Sequence, residues 1–542
     1  MTNVRFFWFS VYNILLRRKA MKLNAVILDD EYWWGGSSAA TGKLPITKNS
    51  LYDLDMNRAF NQTMPFFVSS MGRYIWSDEP FTVSVHDGVI ACKGPSEIII
   101  KKCGNTLKDA YLYAMKKHFP FSGKIPPMKF FATAQYNTWM EMDYCQTQEG
   151  VLEYARNIVK NGYPVGIIMI DEGWHTRYGL WEFDFAKFPD PKAMVDELHA
   201  LGFKVMLWVV PMVTVDGKDF IISAESDRKF LAGGSGDKNY FLRTDSGDIA
   251  IVHWCNGYSA ILNMCKEEDR DFLKRKLDFL MRTYGIDGFK FDGGNISAYN
   301  EVNIVNGRQT GYTPAELNKA WCDFGAEYEY HEYKDTFGGG GKPTVQRIRD
   351  RLHSWDAERG LASLIPIAIC QGLIGHPFIC PDMIGGGEWS LNYQREFEID
   401  AELFVRMAQC SALFPMMQFS WAPWRVLNGE MASHCLAAVR LHTEFSEYIT
   451  GLVRESAVSG EPIIRHMEYE FPECSYEEID DQFMLGSDVL VAPVIKKGDT
   501  VRTVRLPKGR WLYLGKSEYK GGGTVTVDAP IEILPYFIRK NN

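Results

Sequence analysis

The sequence predicts an α/β protein, a (β/α)₈ TIM barrel carrying a β-sandwich domain at each end. Three observations lead there. In the middle of the chain, apolar runs recur that end in polar or aromatic residues, as where Val165-Gly-Ile-Ile-Met-Ile170 meets Asp171-Glu-Gly-Trp174. Between such runs lie stretches with apolar residues at helical spacing, 191–201 and 269–284, the alternation a parallel barrel requires. On either side, strands follow one another without helices.

At 542 residues the chain exceeds one compact core. Residues 1–20 form an N-terminal extension of unassigned role, 21–125 the N-terminal β-sandwich, 126–448 the barrel and 449–542 the C-terminal β-sandwich. In the first sandwich the strands read Ala25-Val-Ile-Leu28, Pro65-Phe-Phe-Val68, Phe81-Thr-Val-Ser-Val85 and Glu97-Ile-Ile-Ile100. A helix is expected near 106–118, then a Gly/Pro linker at 122–127. The barrel strands read Lys129-Phe-Phe-Ala-Thr-Ala134, 165–170, Lys204-Val-Met-Leu-Trp208 and Gly288-Phe-Lys-Phe291. The glycine run 338–341 reads as a flexible loop. Met484-Leu-Gly, Val489-Leu-Val-Ala492, 501–506, 525–527 and Ile531-Glu-Ile-Leu534 read as the strands of the last domain.

Composition excludes several classes. With 46% hydrophobic and 23% charged residues the chain is an ordinary globular one, not a long disordered one. A net charge of −9 gives no drive toward nucleic acid or anionic membranes. The 11 cysteines contain no C-x-x-C pair, so neither a zinc site nor a disulfide framework is signalled, and a reducing compartment fits best. Residues 6–16 are an interrupted apolar run followed by Arg17, Arg18 and Lys19. It falls short of the roughly 20 residues a membrane span needs and lacks a small-residue cleavage site. A cytoplasmic setting is favoured, with periplasm or secretion left open. Nothing decides between a monomer and a homo-oligomer.

The chemistry centres on Asp292, in Tyr284-Gly-Ile-Asp-Gly-Phe-Lys-Phe-Asp-Gly-Gly294. A carboxylate straight after a buried strand is costly unless paired or used, and the two glycines would let a substrate approach closely. The alternative is an aspartate capping the next helix. The segment resembles the nucleophile strand of glycoside hydrolase family 31, the retaining α-glycosidases. Pro377-Phe-Ile-Cys-Pro-Asp-Met-Ile-Gly-Gly386, Phe414-Pro-Met-Met417 with Ser420-Trp-Ala-Pro-Trp424, 481–494 and Leu506-Pro-Lys-Gly-Arg-Trp511 resemble further family motifs in the family's order.

The resemblance implies a terminal α-glycoside as substrate, no cofactor, no metal, and Asp292 as nucleophile. Retention needs a second carboxyl group about 5–5.5 Å away. In the family that acid stands five residues before a Trp, as Asp350 does in Asp350-Arg-Leu-His-Ser-Trp355, although Arg349 occupies the place of the family's usual Gly. Asp356 competes. Asp292 must be ionised, with Lys290 a candidate neighbour. Asp350 must begin protonated, its pKa raised by the charge of Asp292.

Substrate-binding candidates are Asp171, Glu172, Trp174, Lys290 and Asp382, with Trp139, Trp208 and Trp389 as stacking surfaces. Arg406 resembles a family arginine that either binds substrate or makes a salt bridge; His376 and His442 read as structural. The α-glucosidase branch follows its nucleophile with Met-Asn-Glu and ends its last strand in Arg-Ser-His. Here Gly293-Gly-Asn295 and Gln418-Phe-Ser420 stand instead. Glu31-Tyr-Trp-Trp-Gly-Gly36, Gly72-Arg-Tyr-Ile-Trp-Ser77 and Tyr136-Asn-Thr-Trp-Met-Glu141 resemble the branch of the myogenesis-regulating glycosidase and its bacterial relatives, which implies α-galactosidase activity. Asn295 replaces that branch's Glu, and sulfoquinovosidases share the Asp-to-Trp spacing, so α-glucosidase and sulfoquinovosidase stay open. From a different class, a catalytically silent glycan-binding barrel also stays open.

Overall fold

A computed structural model describes residues 20–39, 44–46, 51–54, 61–222, 240–244, 247–255, 257–299, 311–393, 397–472 and 474–540. The apolar run at 6–16 lies outside them. Among the described residues no helix is long and apolar enough to cross a membrane.

The N-terminal part is two facing four-stranded antiparallel sheets. Trp33, Phe67 and Ile75 of one meet Val83, Val85, Ile90 and Cys92 of the other in a common core. The helix Leu107–His118 follows, its first turn closed by a reciprocal capping box between Thr106 and Asp109.

Eight parallel strands then close a barrel. Gln135–Asn137, Ile167–Ile170, Lys204–Val209, Gly288–Phe291, Tyr330–Tyr333 and Val345–Arg347 pair in sequence. The seventh strand is broken at Pro381-Asp382. Its first half, Ile379–Cys380, pairs with Val345–Arg347, while Met383–Ile384 pairs with Gln418–Phe419. Gln418–Phe419 in turn pairs with Gln135–Asn137, which completes the ring. The break turns Asp382 into a left-handed conformation, φ 72°, unusual for a residue other than glycine.

Three elements differ from the sequence reading. The first barrel strand is Gln135–Asn137, not 129–134: Lys129–Ala132 is a helical turn whose Phe130 and Phe131 are both buried. The glycine run is packed, not flexible. A Cβ on Gly341 would stand 2.3 Å from Phe119 O, and one on Gly340 2.8 Å from Ile374 O, so bare backbone is what the crossing requires. Residues 531–534 form no strand; the last one is Tyr536–Arg539. Their carbonyls are taken by barrel side chains instead of a ladder partner: Gln409 Nε2 donates to Ile531 O (2.6 Å) and Arg406 Nη1 to Ile533 O (3.0 Å).

The C-terminal part sets a six-stranded sheet against the ribbon of Val501–Leu506 and Gly523–Asp528, with Trp511, Phe537, Val504 and Leu506 between them. The first sandwich also reaches into the barrel. Gln62 Nε2 donates to Lys334 O (3.1 Å) and Arg347 O (3.0 Å), and Arg349 N–H donates to Asn61 Oδ1 (2.8 Å).

Candidate active site

Inside the barrel the strand register stacks Trp208, Lys290 and Glu332 side by side. Positions that point inward near the strands' C-terminal ends build the site in this architecture, and here they are polar and interlocked. Lys290, only 2% exposed, reaches Asp171 Oδ2 at 2.5 Å. Asn137 Nδ2 donates to the same oxygen at 2.7 Å. Gln418 Nε2 donates to Glu332 Oε2 (3.1 Å), and Arg347 lies beside Glu332 Oε1 at 3.3 Å. Arg347 also pairs with Asp382, which accepts the Arg351 N–H at 2.8 Å. Each buried charge is met by another.

Asp292 stands above this floor, partly exposed. Its backbone N–H completes the barrel ladder at Val209 O (2.9 Å). Trp208 Nε1 donates to Oδ2 (3.0 Å) and the Gly293 N–H to Oδ1 (2.8 Å). Burial pushes its pKa up, but Lys334, Lys290 and Arg347 outweigh burial and hold the carboxyl below the usual aspartate range. Gly293 and Gly294 both have φ near +60°. A Cβ on Gly294 would meet the Trp321 ring at 2.6 Å, so this glycine makes room for the protein's own indole, not for substrate.

Asp350 comes from the loop after Val345–Arg347. Lys334 Nζ lies 2.6 Å from its Oδ2 and Arg347 Nη1 3.1 Å from its Oδ1, and 23% of the side chain is exposed. Burial pushes its pKa up, yet Lys334 and Arg347 together depress it far below the usual range. This reverses the expectation that the charge of Asp292 would keep Asp350 protonated: two cations outweigh one anion. Burial alone would discharge Lys334, but Asp292 and Asp350 raise its pKa above the ordinary lysine value.

Asp356 is an exposed turn residue. Its Oδ1 accepts the N–H groups of Glu358 (2.8 Å), Arg359 (2.7 Å) and Gly360 (3.1 Å), the work of a local backbone cap. Glu172 is buried, bonded by the Tyr178 hydroxyl. Burial, Asp171 and Asp292 push its pKa up to about 8, against the Tyr178 bond and Lys290.

The aromatic candidates divide. Trp174 and Trp208 present no free face: both are buried, Trp174 Nε1 donates to Trp208 O (2.9 Å), and His175 stacks on Trp208 at 5.9 Å. Trp139 is half-buried, edge-on to Tyr144, and Trp389 is 47% exposed. Arg406 is not in the site. It donates to the carbonyls of Asp499, Ala529, Pro530 and Ile533 and to the Gln409 side-chain oxygen, clamping the barrel to the last domain. His376 and His442 are buried; His442 Nδ1 lies 2.9 Å from Ala412 O.

Lys334, Arg347 and Glu332 went unnoticed in the sequence reading. The signal was there: charged residues at alternate positions of short strands rich in aromatic and polar residues, Tyr330-His-Glu-Tyr-Lys334 and Val345-Gln-Arg347. Among the described residues no three His, Cys, Asp or Glu side chains gather as a metal site would require.

Known proteins share this arrangement of domains. The chain matches the glycosyl hydrolase family 31 TIM-barrel domain over residues 124–450 and the family's C-terminal domain over 460–542. It is 28% identical over 455 residues to the myogenesis-regulating glycosidase of Mus musculus, covering 81% of this chain and 61% of that protein. It is 25% identical to the 1,3-alpha-isomaltosidase of Kribbella flavida, covering 74% and 60%. The chain thus spans about six-tenths of the length of these two relatives. The solved structure of the family 31 dextranase of Flavobacterium johnsoniae, complexed with glucose, superimposes with a TM-score of 0.83 at 21% identity over 96% of this chain and 67% of that one, a likeness of fold. With the family's barrel and C-terminal domains together filling most of its length, the chain belongs to glycosyl hydrolase family 31.

Proposed function

We propose that the chain is a retaining, exo-acting α-glycosidase that removes a terminal α-linked hexose by double displacement. Asp292 attacks the anomeric carbon as the bond to the leaving group breaks, and Asp350 gives its proton to the departing oxygen. Asp350 then takes a proton from water, whose oxygen displaces Asp292 from the sugar with net retention. The supporting observation is the shared cation: Lys334 bonds Asp350 and lowers the pKa of Asp292, so acids from two strand ends converge on one ammonium. Trp208 orients Asp292 from behind. In the free chain Asp350 is ionised. It takes up a proton from solvent as substrate binds and a sugar hydroxyl takes over the hydrogen bond of Lys334. Asp171, Lys290 and a neutral Glu172 are the groups for the remaining hydroxyls.

The sugar we favour is α-galactose, following the motif resemblance; similar proteins named as an alpha-glucosidase and a sulfoquinovosidase set the other arms of the test. Aryl α-galactoside, α-glucoside and α-sulfoquinovoside are offered in turn, and proton NMR follows the first sugar released. The α-anomer should appear first from one of them. A β-anomer first, or no turnover of any, overturns the reading. Asp292→Asn should lower turnover by roughly three orders of magnitude or more with an unchanged circular dichroism spectrum.

A further inference from the structure

The loop that carries Asp350 is crowded with guanidinium groups, and three of the four are accounted for. Arg347 is held by Asp350, Asp382 and Glu332. Arg351 is buried, with Nε on Arg349 O (2.9 Å) and Nη1 on Ser363 Oγ (2.7 Å). Arg359 pairs with Glu388 and donates to Asp350 O at 3.0 Å. Arg349 is different. Its backbone is fixed at both ends, N–H to Asn61 and C=O from Arg351, but among the described residues its half-buried guanidinium has no hydrogen-bond or ion-pair partner. Burial and the like charge of Arg359 pull its pKa down, against a smaller upward pull from Asp350, Glu388 and Glu358, none of which bonds it. A cation kept half-buried beside another cation, unpaired, costs free energy that an anion would return.

Position identifies where that anion belongs. If Asp350 protonates the bond being cleaved, the residues flanking it border the leaving group. The loop bearing the exposed indole of Trp389 is bonded to the same segment, through Gly387 N (3.0 Å) and Glu388 N (3.1 Å) to Arg351 O. We propose that Arg349 is a specificity residue of a leaving-group subsite, and that the natural substrate is an α-glycoside whose aglycone carries an oxyanion, a carboxylate or a phosphate ester. The planar, five-donor guanidinium suits such a group. The inference rests on the glycosidase reading above.

The test uses three α-glycosides of the sugar selected by the panel, with 4-hydroxybenzoate, 4-hydroxyphenyl phosphate and uncharged 4-hydroxybenzamide as leaving groups. For at least one charged substrate, kcat/KM should exceed that of the amide by about tenfold or more, the worth of one charge-assisted hydrogen bond. The two charged arms tell carboxylate from phosphate. In Arg349→Gln the ratio should fall toward one, and in the unaltered enzyme it should shrink in about 0.5 M sodium chloride. A ratio near one in the unaltered enzyme, or a preference that survives Arg349→Gln, overturns the inference while hydrolysis of the amide leaves the glycosidase reading standing. Hydrolysis of none of the three, on any sugar of the panel, overturns both.

Discussion

Lys334 Nζ stands 2.6 Å from Asp350 Oδ2, and the same ammonium is the cation that most strongly lowers the pKa of Asp292. One side chain is therefore the leading cation for both acids, with Arg347 and Lys290 adding to it.

Replacing it should move both together. In Lys334→Met each carboxyl loses a neighbouring positive charge, so each pKa rises. The limbs of the kcat profile, set in the substrate complex by ionisation of Asp292 on the acidic side and by loss of the proton from Asp350 on the alkaline side, should both shift to higher pH. A shift of one limb alone would show that Lys334 serves one acid only.

The two carboxylates flanking Trp355 should behave differently. Asp350→Asn should slow hydrolysis of alkyl α-glycosides by about 10² to 10⁴, and of aryl glycosides with acidic leaving groups much less. Asp356→Ala removes a cap of three N–H groups. It should cost about 1 kcal/mol of stability and leave turnover near the unaltered level. Steady-state kinetics paired with urea unfolding separates the two.

Glu172 should leave a mark on stability. In the unfolded chain it loses its proton near the ordinary glutamate value of 4.5, in the folded chain only near 8. Between those values the unfolded state binds fewer protons, so this group's contribution to folding declines as pH rises and is lost through pH 8. Glu172→Gln lacks that slope. The unfolding free energy of the variant relative to the parent should therefore climb from pH 4.5 to 8; a flat difference would contradict the raised pKa.

Arg406→Ala should destabilise without touching substrate. Removing the guanidinium leaves four carbonyls of the last domain without their charged donor, a loss on the order of 3 kcal/mol. The unfolding midpoint should drop while KM for an aryl glycoside is unchanged; a raised KM would return Arg406 to the binding site.

The barrel could be seen in the sequence because its strands are apolar runs ending in chemistry. Gly288–Phe291 has the predicted bounds, and the helix Glu267–Tyr284 is almost as foreseen. Asp292 stood out as a carboxylate straight after a buried strand, whereas Asp350 was singled out only through the family's Asp-to-Trp spacing, with Asp356 as its competitor. What spacing cannot show is who meets whom across the barrel. Arg347 and Lys334 look like ordinary charges until Tyr330–Tyr333 and Val345–Arg347 bring them beside Asp350. Residues 531–534 misled for the opposite reason. Their alternation is that of a strand, but the acceptors were claimed by Arg406 and Gln409, more than a hundred residues away in the chain.

Asn61 and Gln62 lie just before the strand Thr63–Ser69 of the first domain, but their side chains end on the main chain of Lys334, Arg347 and Arg349. A barrel cut loose at residue 126 would keep every acid and base described above and lose the strut that spaces them. The folded unit of this protein therefore extends beyond the barrel, and a graft of the barrel into another scaffold must carry those two amides with it.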